Sequence, residues 1–145
     1  MSRAIQNIIF DLGGVFLNID FERTNQAFQQ LGLAGFDRFF TQHHAHQLFE
    51  DLETGKISPD QFYAAFRAET QTQLTDAQIR DAWNALLLDF PPERLDWLEK
   101  IRQHYRVFLF SNTNAIHYEY QCHPLRRLHG PICPSFSGQG LQCLF

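Results

Sequence analysis

Apolar residues fall along this chain in two different rhythms. Ile8-Ile9-Phe10 and, about a hundred residues later, Val107-Phe108-Leu109-Phe110 are unbroken apolar runs. Short runs without polar alternation predict parallel strands buried on both faces. Between them the apolar positions recur at helical spacing. Phe21 to Leu31 is amphipathic and stops at Gly32. Ser58-Pro59-Asp60-Gln61 reads as a helix start, with Ser at the N-cap, Pro at the first helical position and Gln where a capping box needs it. Phe62 and Phe66 then share one face. Thr75-Asp76-Ala77-Gln78 starts a further helix whose stripe is Ile79, Trp83, Leu86 and Leu87. Pro91-Pro92 breaks the chain, and Glu93 to His104 forms a last helix through Leu95, Leu98 and Ile101.

A strand-helix-strand crossover needs only one helix. Several intervene here, so the pattern predicts an α/β fold in which residues 18–90 are an inserted helical cap. Residues 1–17 and 91–121 then make a partial core with a Rossmann-like parallel sheet. From Gln121 neither rhythm persists, and residues 122–145 read as an irregular tail that leaves the core incomplete at its C-terminal end.

The composition narrows the partners. With 145 residues, 44% of them hydrophobic and 15 of them Phe, the chain can bury a core. A formal charge of -4 argues against nucleic acid or an anionic membrane surface. No apolar run is long enough to span a bilayer and the N-terminus lacks the apolar region of a signal peptide. The expectation is a cytoplasmic protein.

Both strands end in chemistry. Ile8-Ile9-Phe10 runs into Asp11-Leu12-Gly13-Gly14-Val15, and Val107-Phe108-Leu109-Phe110 runs into Ser111-Asn112-Thr113-Asn114. Ligands of open α/β sheets bind beyond the carboxyl ends of the strands. A carboxylate there, two glycines that admit close approach of a substrate and a hydroxyl-rich segment beside them point to phosphate. Each residue has a plainer role open to it: Asp11 as a turn residue, Ser111 as the cap of the next helix, Asn112 and Asn114 as turn formers. His43, His44 and His46 lack the usual pairing of metal ligands on one helical face and read as a solvated helix surface. Phe36, Phe39, Phe40 and Phe49 read as cap core.

Phe10-Asp11-Leu12-Gly13-Gly14-Val15, a helical insertion, and Leu109-Phe110-Ser111-Asn112-Thr113-Asn114 together resemble the haloacid dehalogenase-like (HAD) hydrolase superfamily. The resemblance covers about residues 5–120 and is greatest to the branch of small sugar-phosphate phosphatases, which Glu53-Thr54-Gly55-Lys56-Ile57-Ser58 also resembles in its cap. It implies a Mg²⁺-dependent phosphatase in which Asp11 attacks phosphorus and forms an aspartyl-phosphate. Gly13, Gly14, Ser111 and Asn112 would bind the phosphate, Asp11 and the Gly13 carbonyl would hold the metal, and the substrate would be a small phosphorylated metabolite.

Two departures stand beside that resemblance. Most phosphatases of the superfamily carry a second Asp two residues after the nucleophile, where this chain has Gly13; the resembling branch shares the Gly, and Asp20 is the nearest spare carboxylate. The superfamily also needs a later Lys and a distal acidic residue. The only lysines here are Lys56 and Lys100, and no Asp or Glu follows Glu119; Arg126 or Arg127 could supply positive charge. Three of the six prolines and all the cysteines (Cys122, Cys133 and Cys143) lie in the tail. The cysteines match no C-x-x-C zinc pattern with His123 and His129, and the composition shift reads as a loss of reading frame near residue 121. Two alternatives therefore accompany the phosphatase reading: an inactive truncated fragment, and a phosphate- or partner-binding module. An incomplete sheet further predicts self-association through its exposed edge.

Overall fold

The computed structural model describes residues 5–41, 44–121, 135–137 and 140–144. Strand β1 (Asn7–Phe10) lies parallel to β4 (Arg106–Ser111) in the register Ile8↔Val107 and Phe10↔Leu109. Everything between them is the excursion. It comprises α1 (Phe21–Gln30), a 3₁₀ turn (Phe36–Arg38), a small hairpin of β2 (Phe40–Thr41) and β3 (His44–Ala45), and then α2 (Gln47–Glu53), α3 (Pro59–Thr70), α4 (Asp76–Asn84) and α5 (Pro92–Arg102). Helix α6 (115–121) follows β4.

The helix starts are local chemistry. Ser58 and Thr75 each close a full capping box with Gln61 and Gln78, and Pro59 occupies the first turn of α3. Asp20 caps α1, its side chain accepting the Glu22 N–H at 3.0 Å. Gly32 follows with φ 88°, a left-handed conformation natural to glycine. Pro92 is the first residue of α5 rather than a spacer before it.

Cap and core are packed by different means. In the cap, Phe28 stacks on Phe36 at 4.2 Å, and Trp83 receives Phe40 at 4.5 Å and Phe49 at 4.8 Å. Phe36 and Phe49 are buried there, as their sequence pattern implies. In the core, Phe10 packs against Phe16 and against Trp97 of α5, while Val107 and Leu109 are buried. Residues alternate between the faces of a strand, so Ile9 and Phe110 point to the other side, where they are 69% and 58% exposed. The runs at 8–10 and 107–110 are apolar on both faces, and only one face is covered among the described residues.

Two expectations are corrected. Part of the tail is regular: β5 (Ser135–Ser137) and β6 (Gly140–Leu144) form a hairpin, and β6 runs antiparallel along the free edge of β4, with Ser111 opposite Leu141. The open N–H and C=O groups of that edge accept any strand in reach, so the sheet, in the order β1-β4-β6-β5, is mixed rather than wholly parallel. The histidine segment is not a helix surface either. His44 lies in β3, and His46 caps α2 through Nδ1, 3.5 Å from the Leu48 N–H. His43 lies outside the described residues.

The capping box of α3 gives a direct check. Ser58→Ala removes the hydroxyl that accepts the Gln61 N–H and is expected to cost about 1 kcal/mol in urea unfolding, whereas Ser58→Asn should keep most of the stability.

Candidate active site

The parallel register brings Asp11 and Ser111 to the same end of the sheet, on neighbouring strands whose axes lie about 4.8 Å apart. Asp11 is exposed, with Oδ1 accepting the Leu12 N–H at 2.6 Å. Ser111 is buried and Asn112 exposed. The chain after Asp11 winds into one tight turn. The Leu12 carbonyl accepts the N–H groups of Phe16 at 2.9 Å and Leu17 at 3.0 Å, and the Gly14 N–H reaches the Leu17 carbonyl at 2.8 Å. Gly14 has φ 73°, which requires a left-handed residue. Arg94 of α5 donates from Nη1 to the Val15 carbonyl at 3.0 Å and ties the turn to the core.

Gly13 faces the base of the cap. A Cβ added there would lie 2.5 Å from Ile19 Cδ1. Ile19 belongs to a ribbon formed by the two strands of chain that enter and leave the cap. The Asn18 N–H donates to the Asp89 carbonyl, the Leu88 N–H to the Asn18 carbonyl and the Asp20 N–H to the Leu86 carbonyl, each at 2.9 Å. Asn18 Nδ2 adds a bond to Asp89 Oδ1 at 3.0 Å. Asp20, the spare carboxylate of the sequence, is held in this region as the α1 cap and beside Arg23 at 3.6 Å.

Asn114, not Ser111, caps the helix that follows: its Oδ1 accepts the His117 N–H at 3.0 Å. His117 then crosses to the cap. Its Nδ1 lies 2.8 Å from Asn84 Oδ1 and its ring stacks on Trp83 with centroids 4.9 Å apart. Full burial drives its pKa down from 6.5 to about 3, so the ring is neutral. Around this pair, Trp83 Nε1, Asn84 Nδ2, Thr113 Oγ1 and Asn114 Nδ2 are buried with no hydrogen-bond partner among the described residues. Each such group costs about 1–3 kcal/mol. Sequence reading missed Arg94, Asn84 and His117. The only local trace was the Asn114-to-His117 spacing of an N-cap and its third helical residue.

Cys122, His123, Arg126, Arg127, His129 and Cys133 lie outside the described residues, as do the side-chain surroundings of Cys143. Among the described residues no group of three or more His, Cys, Asp or Glu side chains could hold a metal ion. No helix among them is long and apolar enough to cross a membrane.

Two outcomes are expected from this geometry. Gly14→Ala forces a Cβ into left-handed backbone and should destabilise the fold by about 1–2 kcal/mol in urea unfolding. For His117 the folded state refuses a proton that the unfolded chain takes up below pH 6.5. Its contribution is therefore complete above that pH and shrinks as pH falls toward 3, by about 1.4 kcal/mol per pH unit. Urea midpoints between pH 6.5 and 5 should fall accordingly, and His117→Asn should flatten that slope.

Comparison with known proteins agrees with the geometry. No family model matches the chain. It is 36% identical over 120 residues to D-ribitol-5-phosphate phosphatase of Bacteroides thetaiotaomicron, an alignment that takes in 83% of this chain and 58% of the relative. A HAD family enzyme of the same organism, solved in complex with magnesium and inorganic phosphate, superposes with a TM-score of 0.78 at 38% identity, covering 82% of this chain and 59% of that one. A structure from Porphyromonas gingivalis described as a HAD-like family hydrolase matches with a TM-score of 0.74 at 32% identity, covering 87% and 60%. The chain thus spans about three fifths of the length of these relatives. Over the part of these relatives that it spans, the chain shares the fold of HAD family enzymes.

Proposed function

We propose that the chain carries the nucleophile and part of the phosphate site of a Mg²⁺-dependent phosphatase acting on small phosphomonoesters of the sugar or sugar-alcohol class. The observation that supports it most is the placement of Asp11 and Ser111 on adjacent parallel strand ends, at the foot of the ribbon that carries the cap. The likeness to a ribitol-phosphate phosphatase points to the substrate class.

In this reading an Asp11 carboxylate oxygen attacks phosphorus in line. The phosphorus–oxygen bond to the substrate alcohol breaks, and the alcohol leaves with its electron pair. Water then attacks the aspartyl-phosphate, releasing inorganic phosphate and regenerating the carboxylate. Ser111 donates its hydroxyl to a phosphoryl oxygen, and Asn112 lines the same side. Gly13 and Gly14 let the phosphate approach the backbone of the tight turn. The exposed Asp11 carboxylate beside the turn at Gly13 suits a hard cation that keeps its waters and shares substrate oxygens. Asp11 and the Gly13 carbonyl would hold Mg²⁺, which when bound neutralises charge between carboxylate and phosphoryl group. Position 13 offers no general acid, Ile19 fills the space beside it, and Asp20 is engaged as a helix cap. The leaving alcohol then takes its proton from water.

A second reading is favoured by the charge inventory. Among the described residues Lys56 is paired with Asp51 at 3.0 Å and Lys100 lies in α5. A site with the nucleophile but without the balancing cation would bind phosphate without turning it over. Cytoplasmic phosphorylated metabolites, rather than nucleic acid or membrane, are the partners in both readings, and the uncovered face bearing Ile9 and Phe110 supports self-association.

Phosphate release from an aryl phosphate by the 145-residue chain is expected to require Mg²⁺ and to vanish in Asp11→Asn. Phosphate binding without release would favour the second reading, and neither would count against both. Sedimentation at rising concentration should show association that Phe110→Asp weakens; a monomer at every concentration would refute it.

A further inference from the structure

The seam between cap and core carries one polar contact that the proposed chemistry does not use. Asn84 ends α4 in the cap, two residues before the ribbon begins at Leu86. His117 stands in the first turn of α6, anchored by its own N–H to Asn114, three residues beyond Ser111. Their 2.8 Å bond therefore joins the cap to the segment on the phosphate side, and the Trp83 ring stacked at 4.9 Å fixes the plane of the imidazole. A hydrogen bond is directional where stacking alone is not. The neighbouring Asn84 Nδ2, Thr113 Oγ1 and Asn114 Nδ2 have no partner among the described residues; Glu119, two residues further along α6, also faces Arg80 of α4 and Tyr63 of α3 electrostatically, but without the directional bond that His117 makes.

We propose that His117 is a positioning residue: through Asn84 and Trp83 it registers the cap onto Ser111–Asn114, so that closure of the cap and order in that segment form one equilibrium. The functional half of this statement rests on the reading of Asp11 and Ser111 as a phosphate site. Opening the cap must break the Asn84 bond and expose a ring that is fully buried when closed. Conversely, order at 111–114 holds α6, and with it the imidazole, in the place that the cap requires.

Amide hydrogen exchange on the whole chain, with and without Mg²⁺ and inorganic phosphate, tests this through amides far from His117. The Asn18, Asp20 and Leu88 N–H groups are protected only by ribbon hydrogen bonds. In His117→Leu, which keeps bulk but loses the bond, these amides should exchange about tenfold faster without any ligand, the effect of one lost buried hydrogen bond. His117→Asn, whose amide nitrogen replaces Nδ1, should restore the slow rate. Phosphate should protect both 113–118 and the ribbon in the parent chain, but only 113–118 in His117→Leu. Ribbon exchange equal in parent and Leu variant, or no rescue by Asn, would overturn the proposal. If phosphate protects nothing in the parent chain, the phosphate reading fails while the ligand-free comparison still decides the registration. Should His117→Leu not fold, Asn84→Ser makes the same ligand-free comparison, and unchanged ribbon exchange there would equally overturn it.

Discussion

Parallel pairing of β1 with β4 is the interaction on which the other features of this molecule depend, because it joins residues about a hundred positions apart and sets them in one register. Slipping that register by one residue would exchange the faces of Phe10 and Ile9 and take Phe10 away from Phe16 and Trp97. It would also move Asp11 out of step with Ser111. Parallel strands cannot be joined by a tight turn, so the chain must leave the sheet and return. The excursion became the cap, and its two linkers meet again as the ribbon of residues 18–20 and 86–89.

Cap and core differ in how far each satisfies itself. The cap closes on its own aromatic residues, with Phe28, Phe49, Phe62 and Trp83 fully buried and two helices started by complete capping boxes. The core strands carry apolar side chains on both faces but bury only one among the described residues. The β5–β6 hairpin supplies main-chain partners to the edge of β4. Pairing an edge and covering a face are separate requirements, since the first satisfies hydrogen bonds and the second removes apolar area from water.

The tight turn after Asp11 is held from both sides. Arg94 fastens it to α5, and Ile19 of the ribbon closes over Gly13. A Cβ at position 13 would meet the flexible end of the Ile19 side chain and no ribbon backbone, so the turn and the ribbon pack closely there through one movable side chain. The same attachment places Asn84 over His117, which makes the base of the cap and the start of α6 a shared boundary.

How much of this was legible in the chain depended on the range of the forces involved. The two strands, the starts at Ser58 and Thr75, the stop at Gly32 and the aromatic face of Phe62 and Phe66 rest on interactions within a few residues, which periodicity and capping chemistry record directly. Asp11 and Ser111 were visible as strand-end residues for the same reason; their adjacency needed the register. Asn84 and His117, 33 residues apart, carry no local mark of their pairing. Neither does Arg94, whose partner Val15 is 79 residues away. Local patterning also misled at its limits: the histidine segment turned into a hairpin and a helix cap, while the capping role open to Ser111 is taken by Asn114. The sequence by itself determined β1, β4 and the helices that begin at Ser58 and Thr75, and marked Asp11 and Ser111 as polar strand-end residues, because those follow from neighbours along the chain. Only the tertiary structure decided which strand ends meet, what fills the space at Gly13 and which buried imidazole faces the cap, because those depend on contacts that exist only once distant segments pack together.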